Sequence, residues 1–310
     1  MSKRREFYFW VAAILITPVL LLGCAEVAQV GTTVGQQMGA ISKEDKERID
    51  RLALETEKAA RPMTEQEEYY VGRAVAATIL GQYRLYRSEI LTRYINEVGQ
   101  TLALASDRPF TYGGYHLGIL DTEEINALAC PGGIIFITRG MLKKAQNEEE
   151  LAAILAHEVG HVSHKDGIGA IQRSRWVQVA TLLGSEAAKK VSGAEMAKLV
   201  SLFEGSVNDV VKTLVVNGYS REQEAAADLS AMTYMNRAGY DPRGLSGYLE
   251  KLAKEQTDGT KEGLFTTHPG MRERLAKAKS MIAEKNWAQT TYLARDQRFR
   301  QAFGTTGRGK

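Results

Sequence analysis

Apolar residues recur three and four positions apart over most of the chain, the spacing that places them on one face of a helix. The stretch from Leu151 to Asp166 shows this spacing at Leu151, Ala152, Ile154 and Leu155, and we interpret it as a buried helix behind the capping signal Asn147 to Glu150. The last predicted helix has proline at its first position, where the missing N–H is no loss. The other predicted helices cover residues 43–60, 64–80, 88–104, 168–183, 195–216, 220–237, 245–253 and 269–283.

The apolar period changes to two in the middle of the chain, which is typical of strands. Three extended runs cover residues 115–120, 125–129 and 134–138, and a Pro-Gly-Gly turn separates the last two. We therefore expect a small, mostly antiparallel sheet just before the buried helix. The predicted fold class is α+β and mainly helical.

The amino terminus has the pattern of a lipoprotein signal peptide over residues 1–24. A basic start precedes an apolar run from Phe7 to Leu22, and the run is followed by a glycine and Cys24, the predicted lipidation site. An uncleaved transmembrane anchor is the alternative, because the run is only just short of a spanning length. Residues 25–41, rich in glycine, glutamine and threonine, are predicted to form a flexible tether. With either a lipid anchor or a transmembrane anchor, we expect the rest of the chain to lie outside the cytoplasm.

Composition is that of an ordinary globular protein: 310 residues, of which 44% are hydrophobic and 25% charged. The net charge of +3 owes two charges to the basic start, so no basic excess favours nucleic acid. Cys130 has no partner if Cys24 carries lipid, and no disulfide framework is expected. We expect a folded domain over residues 42–290 and a C-terminal tail over 291–310 that is frayed from Phe299.

Residues 157–161, within the predicted buried helix, read His-Glu-Val-Gly-His. His157 and His161 lie four positions apart and share a helix face, so both imidazoles can reach one metal ion. Glu158 lies beside them, where it can take a proton from a metal-bound water. This is the H-E-x-x-H pattern of zinc peptidases. The alternative is two histidines packed in a helix without metal.

A catalytic zinc site needs three protein ligands, and the best candidate for the third is Glu224. Glu224 and Asp228 lie four positions apart, and the three alanines between them allow this helix to approach another closely. Asp228 is then placed to accept the second ring proton of a ligand histidine. From spacing alone, Glu222 competes for the ligand role, and a solvated acidic face is a further alternative.

The candidate chemistry lies in four blocks: Asn126-Ala127-Leu128-Ala129-Cys130-Pro131-Gly132-Gly133 with Arg139-Gly140-Met141-Leu142, His157 to His161, Ser220 to Asp228, and Thr267-His268-Pro269 with Arg274. Together they resemble the zinc metallopeptidase family that includes the HtpX heat-shock peptidase, the CAAX prenyl protease and the periplasmic β-barrel-assembly-enhancing protease. The resemblance covers roughly residues 70–283, and we expect a short member without a helical-repeat domain. Asp166 stands where many members have histidine, and Leu128 where an aromatic residue is common.

The resemblance implies a zincin-like peptidase fold in which the small sheet packs beside the H-E-x-x-H helix. It implies one zinc ion per chain and favours Glu224 over Glu222. Zinc lowers the pKa of its bound water to about 7, and Glu158 would act as the general base for attack of this water on a peptide carbonyl. The implied zinc ligands are His157, His161 and Glu224.

His268 and Arg274 are implied at the edge of the site, positioned by the helix predicted from Pro269. There they would stabilise the oxyanion, or His268 would cover the zinc in a resting state. Without the resemblance, a helix residue with no metal role is an equal alternative for His268. An exposed strand near the zinc would let an extended peptide add through main-chain hydrogen bonds. The residues of this predicted substrate strand are Asn126, Ala127, Leu128 and Ala129.

We therefore expect a lipid-anchored zinc endopeptidase outside the cytoplasm, on the periplasmic face of a bacterial outer membrane. Its expected substrates are unfolded or extended polypeptides, in particular misfolded or misassembled envelope proteins, and envelope assembly factors are candidate partners. The alternative is a chaperone-like envelope binding protein with little or no proteolysis. An intact Glu158 argues against this alternative, because a purely structural site has no need of a base.

Overall fold

The parts of the chain that the computed structural model describes are residues 62–171, 193–255, 263–287, 289 and 292–304, with a few positions between 33 and 47. The predicted signal peptide with Cys24, and most of the helices predicted over 43–60 and 168–183, lie outside the described residues. In the predicted tether only Thr33 and Gln36 are described, and both are helical. Within these ranges no helix is long and apolar enough to cross a membrane.

The chain forms two compact units. The first comprises Met1–Pro62 and Arg173–Leu202, and most of it lies outside the described residues. The second comprises Met63–Gln172 and Phe203–Lys310. This second unit contains the sheet, the hydrophobic core and both helices that carry candidate metal ligands.

Helices make up most of the second unit, as predicted, with ends within a few residues of those expected. Reciprocal capping boxes begin two of them: Thr64 and Ser220 accept bonds from the backbone three residues on, and the Glu67 and Gln223 side chains bond back. A π-helical turn, Thr213–Asn217, follows the sixth helix. The described helices are α1 (Glu65–Gln82), α2 (Glu89–Leu104), α3 (Arg139–Leu142), α4 (Glu148–His164), α5 (Asp166–Gly169), α6 (Gly193–Lys212), α7 (Arg221–Arg237), α8 (Arg243–Glu255), α9 (Leu264–Thr267), α10 (Met271–Lys285) and α11 (Leu293–Gly304).

The strands in the described part of the chain are β1 (His116–Leu120), β2 (Ala127–Ala129) and β3 (Ile134–Thr138), in the spatial order β1-β3-β2. β2 and β3 are antiparallel across the turn at Pro131–Gly133, with Ala127 opposite Ile137. β1 and β3 are parallel, with His116 opposite Ile134. The mainly helical α+β class is confirmed. The sheet is mixed rather than mostly antiparallel, because β3 lies between the other two strands and runs in the direction of β1.

α4 lies at the centre of the core and packs against α2, α7, α8 and β2. Its residues Glu150 to Val162 are all buried, as expected for a helix that is apolar nearly all around. Gly160 faces α7, where an added Cβ would lie 3.2 Å from the carbonyl oxygen of Ala227. These small residues let α4 and α7 approach closely, in agreement with the prediction from the alanines between Glu224 and Asp228.

The C-terminal tail is folded where the structure describes it, and the predicted fraying from Phe299 is wrong for these residues. Leu293–Gly304 forms α11, and Phe299 stacks on Phe303 with ring centroids 4.3 Å apart. Arg298 Nη2 lies 2.5 Å from Oε1 of the buried Glu148 at the start of α4. Arg298, in the predicted tail, is therefore the partner of a buried carboxylate.

Candidate active site

Two imidazoles of α4 meet on one face of the helix, as their spacing predicts. The Nε2 atoms of His157 and His161 are 3.1 Å apart, and both side chains are buried. Asn147 caps the start of α4 by accepting a hydrogen bond from the Glu150 N–H, and Lys165, in the left-handed conformation, caps its end. Ring nitrogens at this separation can both bind a single metal ion.

α7 brings Glu224 to the same point. Its Oε2 lies 3.4 Å from Nε2 of His157, and its Oε1 lies 3.4 Å from Nε2 of His161. Glu224 is fully buried, whereas Glu222 is exposed on another face of the helix that begins at Ser220. The structure therefore places Glu224, and not Glu222, next to the histidines.

His268 lies among the candidate ligands and not merely at the edge of the site. Its Nδ1 is 2.9 Å from Oε1 of Glu224 and 3.3 Å from Nε2 of His157, and the residue is buried. The candidate ligand atoms of these four residues all lie within 4.8 Å of one another. Gly270, with a left-handed φ of 84°, makes α10 begin after Pro269 and not at it. His268 therefore lies on the loop before the helix, from which it reaches into the cluster.

A carboxylate lies behind each of the two candidate ligand histidines, His157 and His161. Asp228 Oδ1 is 3.0 Å from His157 Nδ1, as predicted, and Asp166 Oδ2 is 2.7 Å from His161 Nδ1. Such partners fix the tautomer and turn the Nε2 atoms toward the metal. The sequence marks Asp166 only as a departure from the family. Helical spacing does not reveal its role, because Asp166 follows the left-handed Lys165 that ends α4 and reaches His161 from outside that helix.

Arg274 is buried behind the cluster and engaged by carboxylates. Its Nη1 lies 2.5 Å from Glu224 Oε2, and its Nε and Nη2 each donate to Asp228 at 2.7 Å. The first turn of α10 faces α7, and from there the guanidinium reaches both carboxylates. The structure places Arg274 here and not at the edge of the site facing an oxyanion, so it positions Glu224 and Asp228.

The two buried acidic residues of α7, Glu224 and Asp228, are ionised in this environment. Burial alone raises the pKa of Glu224, but His268, Arg274 and His157 outweigh burial and hold this pKa well below its usual range. Burial also raises the pKa of Asp228, but Arg274 and His157 lower it to about 2. Ionised carboxylates beside imidazole nitrogens are donors suited to a divalent transition metal.

The spacing of the candidate ligand atoms fits one metal ion. Zinc bonds of about 2.0–2.1 Å in a tetrahedral arrangement place neighbouring ligand atoms about 3.3 Å apart. The Nε2 atoms of His157 and His161 are 3.1 Å apart, and each lies 3.4 Å from a different carboxylate oxygen of Glu224. Although Arg274 lies beside Glu224, Oε2 of this glutamate receives no well-directed hydrogen bond from the described part of the chain. A buried carboxylate oxygen without a well-directed hydrogen bond is what we expect of a metal ligand.

Glu158 and Tyr219 lie beside the cluster. Glu158 is buried, its Oε1 is 3.9 Å from Nε2 of His268, and its Oε2 has no hydrogen-bond partner among the described residues. Tyr219, which was not predicted, stacks on His161 with ring centroids 4.0 Å apart. Burial, and then the charge of Glu158, raise the pKa of the Tyr219 hydroxyl well above its usual value. Its only sequence signal is an aromatic residue directly before the helix cap Ser220.

β2 lies at an edge of the sheet but is not exposed. In the described part of the chain it pairs only with β3. The N–H of Leu264 donates to the carbonyl of Ile125 at 3.0 Å, and Thr267 Oγ1 lies 3.1 Å from Oδ1 of Asn126, so α9 lies against the residues that lead into β2. The π-helical turn Thr213–Asn217 packs against β2 itself. The expected exposed edge is therefore wrong for this conformation. The buried residues of the predicted substrate strand are Asn126, Ala127, Leu128 and Ala129.

Comparisons with known proteins place the chain among metallopeptidases. The β-barrel assembly-enhancing protease of Escherichia coli (strain K12) is 27% identical over 219 residues, which are 69% of this chain and 43% of that protein. Metalloprotease LoiP of the same strain is 28% identical over 184 residues, 59% of this chain and 66% of that protein. Mitochondrial metalloendopeptidase OMA1 of Schizosaccharomyces pombe is 27% identical over 201 residues, 64% of this chain and 53% of that protein.

The chain spans less than half the length of the assembly-enhancing proteases that it matches. The model of Peptidase family M48 matches residues 89–282, more than half of the chain. The matched residues include the strand and turn before α4, the histidines of α4, Glu224 and His268. The chain therefore belongs to peptidase family M48, a family of metal-dependent peptidases, and the family resemblance of its four sequence blocks is confirmed.

Proposed function

We propose that this chain is a zinc-dependent endopeptidase. The observation that carries the proposal is the convergence of His157, His161 and Glu224, whose ligand atoms lie close enough together to bind one zinc ion. Imidazole donors favour zinc over magnesium and calcium, which prefer all-oxygen sites. Asp228 and Asp166, which orient the two imidazoles, support the same assignment.

When bound, zinc would lower the pKa of a water molecule and polarise the carbonyl of the peptide to be cleaved. Glu158 takes a proton from the attacking water, and its buried Oε2, which no described residue engages, is free to do so. Glu158 then passes this proton to the leaving nitrogen. Arg274 holds the Glu224 carboxylate in its ionised form and in place behind the histidines.

His268 leaves the cluster when substrate binds. A catalytic zinc site keeps one position open, whereas four donors converge here. His268 directly follows Thr267, whose hydroxyl lies beside Asn126 of the predicted substrate strand. A movement of α9 with His268 would therefore free the fourth position and uncover β2 together. An extended peptide could then add along β2 through main-chain hydrogen bonds.

A lipid anchor at Cys24, on the periplasmic face of the outer membrane, is part of the proposal. The basic start, the apolar run and the Gly-Cys ending of residues 1–24 support it. The proposed substrates are unfolded segments of misfolded or misassembled envelope proteins, because pairing along β2 demands little of substrate side chains. The name of the assembly-enhancing relatives supports this setting and envelope assembly factors as partners. The net charge of +3 does not support nucleic acid as a partner.

A chaperone-like envelope binding protein is the second candidate function. The closed arrangement favours it, since His268 lies among the ligands and the substrate strand is buried. Glu158 distinguishes the two functions, because binding without cleavage has no need of a base. The second candidate therefore predicts that Glu158 can be replaced without loss of function.

The test is Glu158→Gln in the purified chain, with cleavage of an unfolded protein such as casein as the measurement. Cleavage should require zinc and fall about 10²–10⁴-fold in this isosteric variant, while the zinc content stays the same. Glu222→Gln removes an exposed carboxylate and is the matched control, which should cleave like the wild type. Equal cleavage by Glu158→Gln and the wild type would refute the mechanism. Binding of casein without cleavage by the zinc-loaded wild type would favour the chaperone-like function.

A further inference from the structure

Tyr219 is held in the site by its backbone. It follows Gly218, which has a φ of 75° and where an added Cβ would lie 2.3 Å from the carbonyl oxygen of Thr266, so only glycine fits. The N–H of Tyr219 donates to the carbonyl of Thr267 at 3.0 Å. Ser220, the cap of α7, follows directly. The position of Tyr219 is therefore fixed from both sides.

The ring of Tyr219 contacts two imidazoles of the cluster. It stacks on His161 with centroids 4.0 Å apart and an interplanar angle of 22°, and its centroid is 6.0 Å from that of His268. Only 6% of the residue is exposed. The phenol therefore shares the enclosed space in which the four candidate ligands converge.

The hydroxyl of Tyr219 differs from those of the other buried tyrosines. It is buried and has no hydrogen-bond partner in the part of the chain that the structure describes. A buried hydroxyl without a partner destabilises the fold, and phenylalanine would pack the same ring without it. The fold alone therefore does not account for a tyrosine here. The partners of the other five are Glu148 for Tyr94 and Tyr240, the Arg108 carbonyl for Tyr115, Asp107 for Tyr234 and the Met141 sulfur for Tyr248.

The proposed reaction needs a donor for the carbonyl oxygen that becomes negatively charged as water adds to the peptide. A donor fixed at that point accelerates such reactions. Arg274, predicted for this role, has its donors on Glu224 and Asp228. His268 has its Nδ1 against Glu224. Tyr219, whose ring contacts the cluster, carries a buried hydroxyl that bonds to no group in the described part of the chain, so its hydrogen is available as a donor.

We propose that Tyr219 is a catalytic residue whose hydroxyl donates a hydrogen bond to the carbonyl oxygen of the scissile peptide as that oxygen becomes negatively charged. This role rests on the proposed endopeptidase function. The proton stays on the phenol, because a tyrosine hydroxyl with its ordinary pKa of about 10 is protonated at neutral pH, and Glu158 remains the base. The bond strengthens only with the charged oxygen, so Tyr219 contributes to kcat and not to substrate binding.

The test is Tyr219→Phe in the full chain, purified in detergent and loaded with zinc. For cleavage of an internally quenched peptide, kcat should fall about 10²–10³-fold with KM unchanged, as for the loss of one oxyanion donor. Affinity for a phosphinic peptide, which imitates the charged tetrahedral carbon, should fall by the same factor, whereas a product peptide should bind as before. The melting temperature should be unchanged or higher, because the hydroxyl has no hydrogen-bond partner to lose among the described residues.

Tyr115→Phe is the matched control, since it removes a buried hydroxyl that has a partner, the carbonyl of Arg108. It should lower the melting temperature and leave kcat unchanged. A wild-type kcat in Tyr219→Phe would overturn the proposal. A fall in kcat that follows a loss of bound zinc would overturn it too, because the residue would then act only through its packing on His161.

Glu158→Gln, measured beside these variants, distinguishes failure of the proposed endopeptidase function from failure of the proposed role of Tyr219. An inactive Glu158→Gln with a fully active Tyr219→Phe would leave the endopeptidase function standing and remove only the role of Tyr219. Full activity of Glu158→Gln would remove both.

Discussion

Two glutamates of α4 are equally buried but have different surroundings. Glu148, at the start of the helix, accepts hydrogen bonds from the hydroxyls of Tyr94 and Tyr240 and from the guanidinium of Arg298. Glu158, ten residues later, has one oxygen without a hydrogen-bond partner among the described residues. The exposed fractions of the two residues are 0% and 1%. The difference therefore lies in their partners and not in their burial.

This comparison separates buried groups that hold the fold together from buried groups that serve a reaction. Burying a carboxylate without donors is unfavourable, so the donors around Glu148 stabilise the junction of α2, α4 and α11. The metal cluster instead leaves polar atoms of Glu158, Glu224 and Tyr219 without directed bonds in the described structure. Such atoms are expected where a metal, water or substrate binds.

The largest effect is expected for Glu158→Gln, and on catalysis alone. The value of kcat should fall about 10²–10⁴-fold, the range for a positioned general base. The melting temperature should not fall, because Oε2 has no protein partner to lose in the described structure. Peptide cleavage and thermal unfolding of the same sample measure both quantities. A Glu158→Gln variant that is less stable but still cleaves would mean that Glu158 serves the fold and not the reaction.

Glu148→Gln should have the opposite effect. It removes the charged acceptor of two tyrosines and of Arg298, and we expect the free energy of unfolding to fall by about 2–3 kcal/mol. This figure is at the lower end for a buried pair because the Arg298 side chain is 51% exposed and can turn to water. Urea unfolding measures the change. Glu89→Gln, which removes an exposed ion pair with Arg93, is the control and should unfold like the wild type. A reduced kcat in folded Glu148→Gln would contradict a purely structural role.

Asp166→Asn sharpens the comparison within the metal cluster. This carboxylate orients His161, and its loss should weaken zinc binding about 10–100-fold without unfolding the chain. Competition with a chelating dye measures the zinc affinity. Asp121→Asn, at a surface pair with Arg139, provides the matched control. Unchanged zinc affinity in Asp166→Asn would mean that the contact does not orient the ligand.

The smallest effect concerns pH. Without metal, burial and the charge of Arg274 lower the pKa of His157, but Glu224 and Asp228 outweigh them and raise it. Burial also lowers the pKa of His161, but Asp166 and Glu224 outweigh it and raise this pKa too. Protonation of these imidazoles therefore stabilises the metal-free fold fully below about pH 6.5, and this stabilisation is lost as pH rises through the raised pKa values.

Zinc requires the neutral imidazoles, so each displaced proton weakens its binding up to about tenfold per unit of falling pH. The rise in melting temperature on adding zinc should therefore be smaller at about pH 6 than at about pH 8. Thermal unfolding of zinc-loaded and chelator-treated protein at both pH values measures this difference. A larger zinc effect at the lower pH would contradict the ligand assignment.

The parts of the site that depend on local spacing could be predicted from the sequence. The four-residue interval places His157 and His161 on one face, and the same interval on α7 places Asp228 behind His157 once Glu224 faces the cluster. The predicted capping box at Ser220 fixes the start of that helix. These features need only the geometry of a single helix.

The parts that depend on contacts between distant segments could not be predicted in this way. Whether β2 is covered is decided by segments far along the chain, the π-helical turn Thr213–Asn217 beside it and α9 beside Asn126. The place of Arg274 depends on where α10 begins, which the left-handed Gly270 sets. Whether the Tyr219 hydroxyl finds a hydrogen-bond partner depends on every residue around it, and in the described part of the chain it finds none. Periodicity and motif spacing do not predict this.

The most direct measurement is the zinc content of the purified chain after dialysis, compared between the wild type, Glu224→Gln and Glu222→Gln. We predict about one zinc per chain in the wild type and in Glu222→Gln, and much less in Glu224→Gln, because Glu224 lies 3.4 Å from both ligand nitrogens whereas Glu222 is exposed. Equal zinc in all three proteins, or none in the wild type, would contradict the proposed metal site.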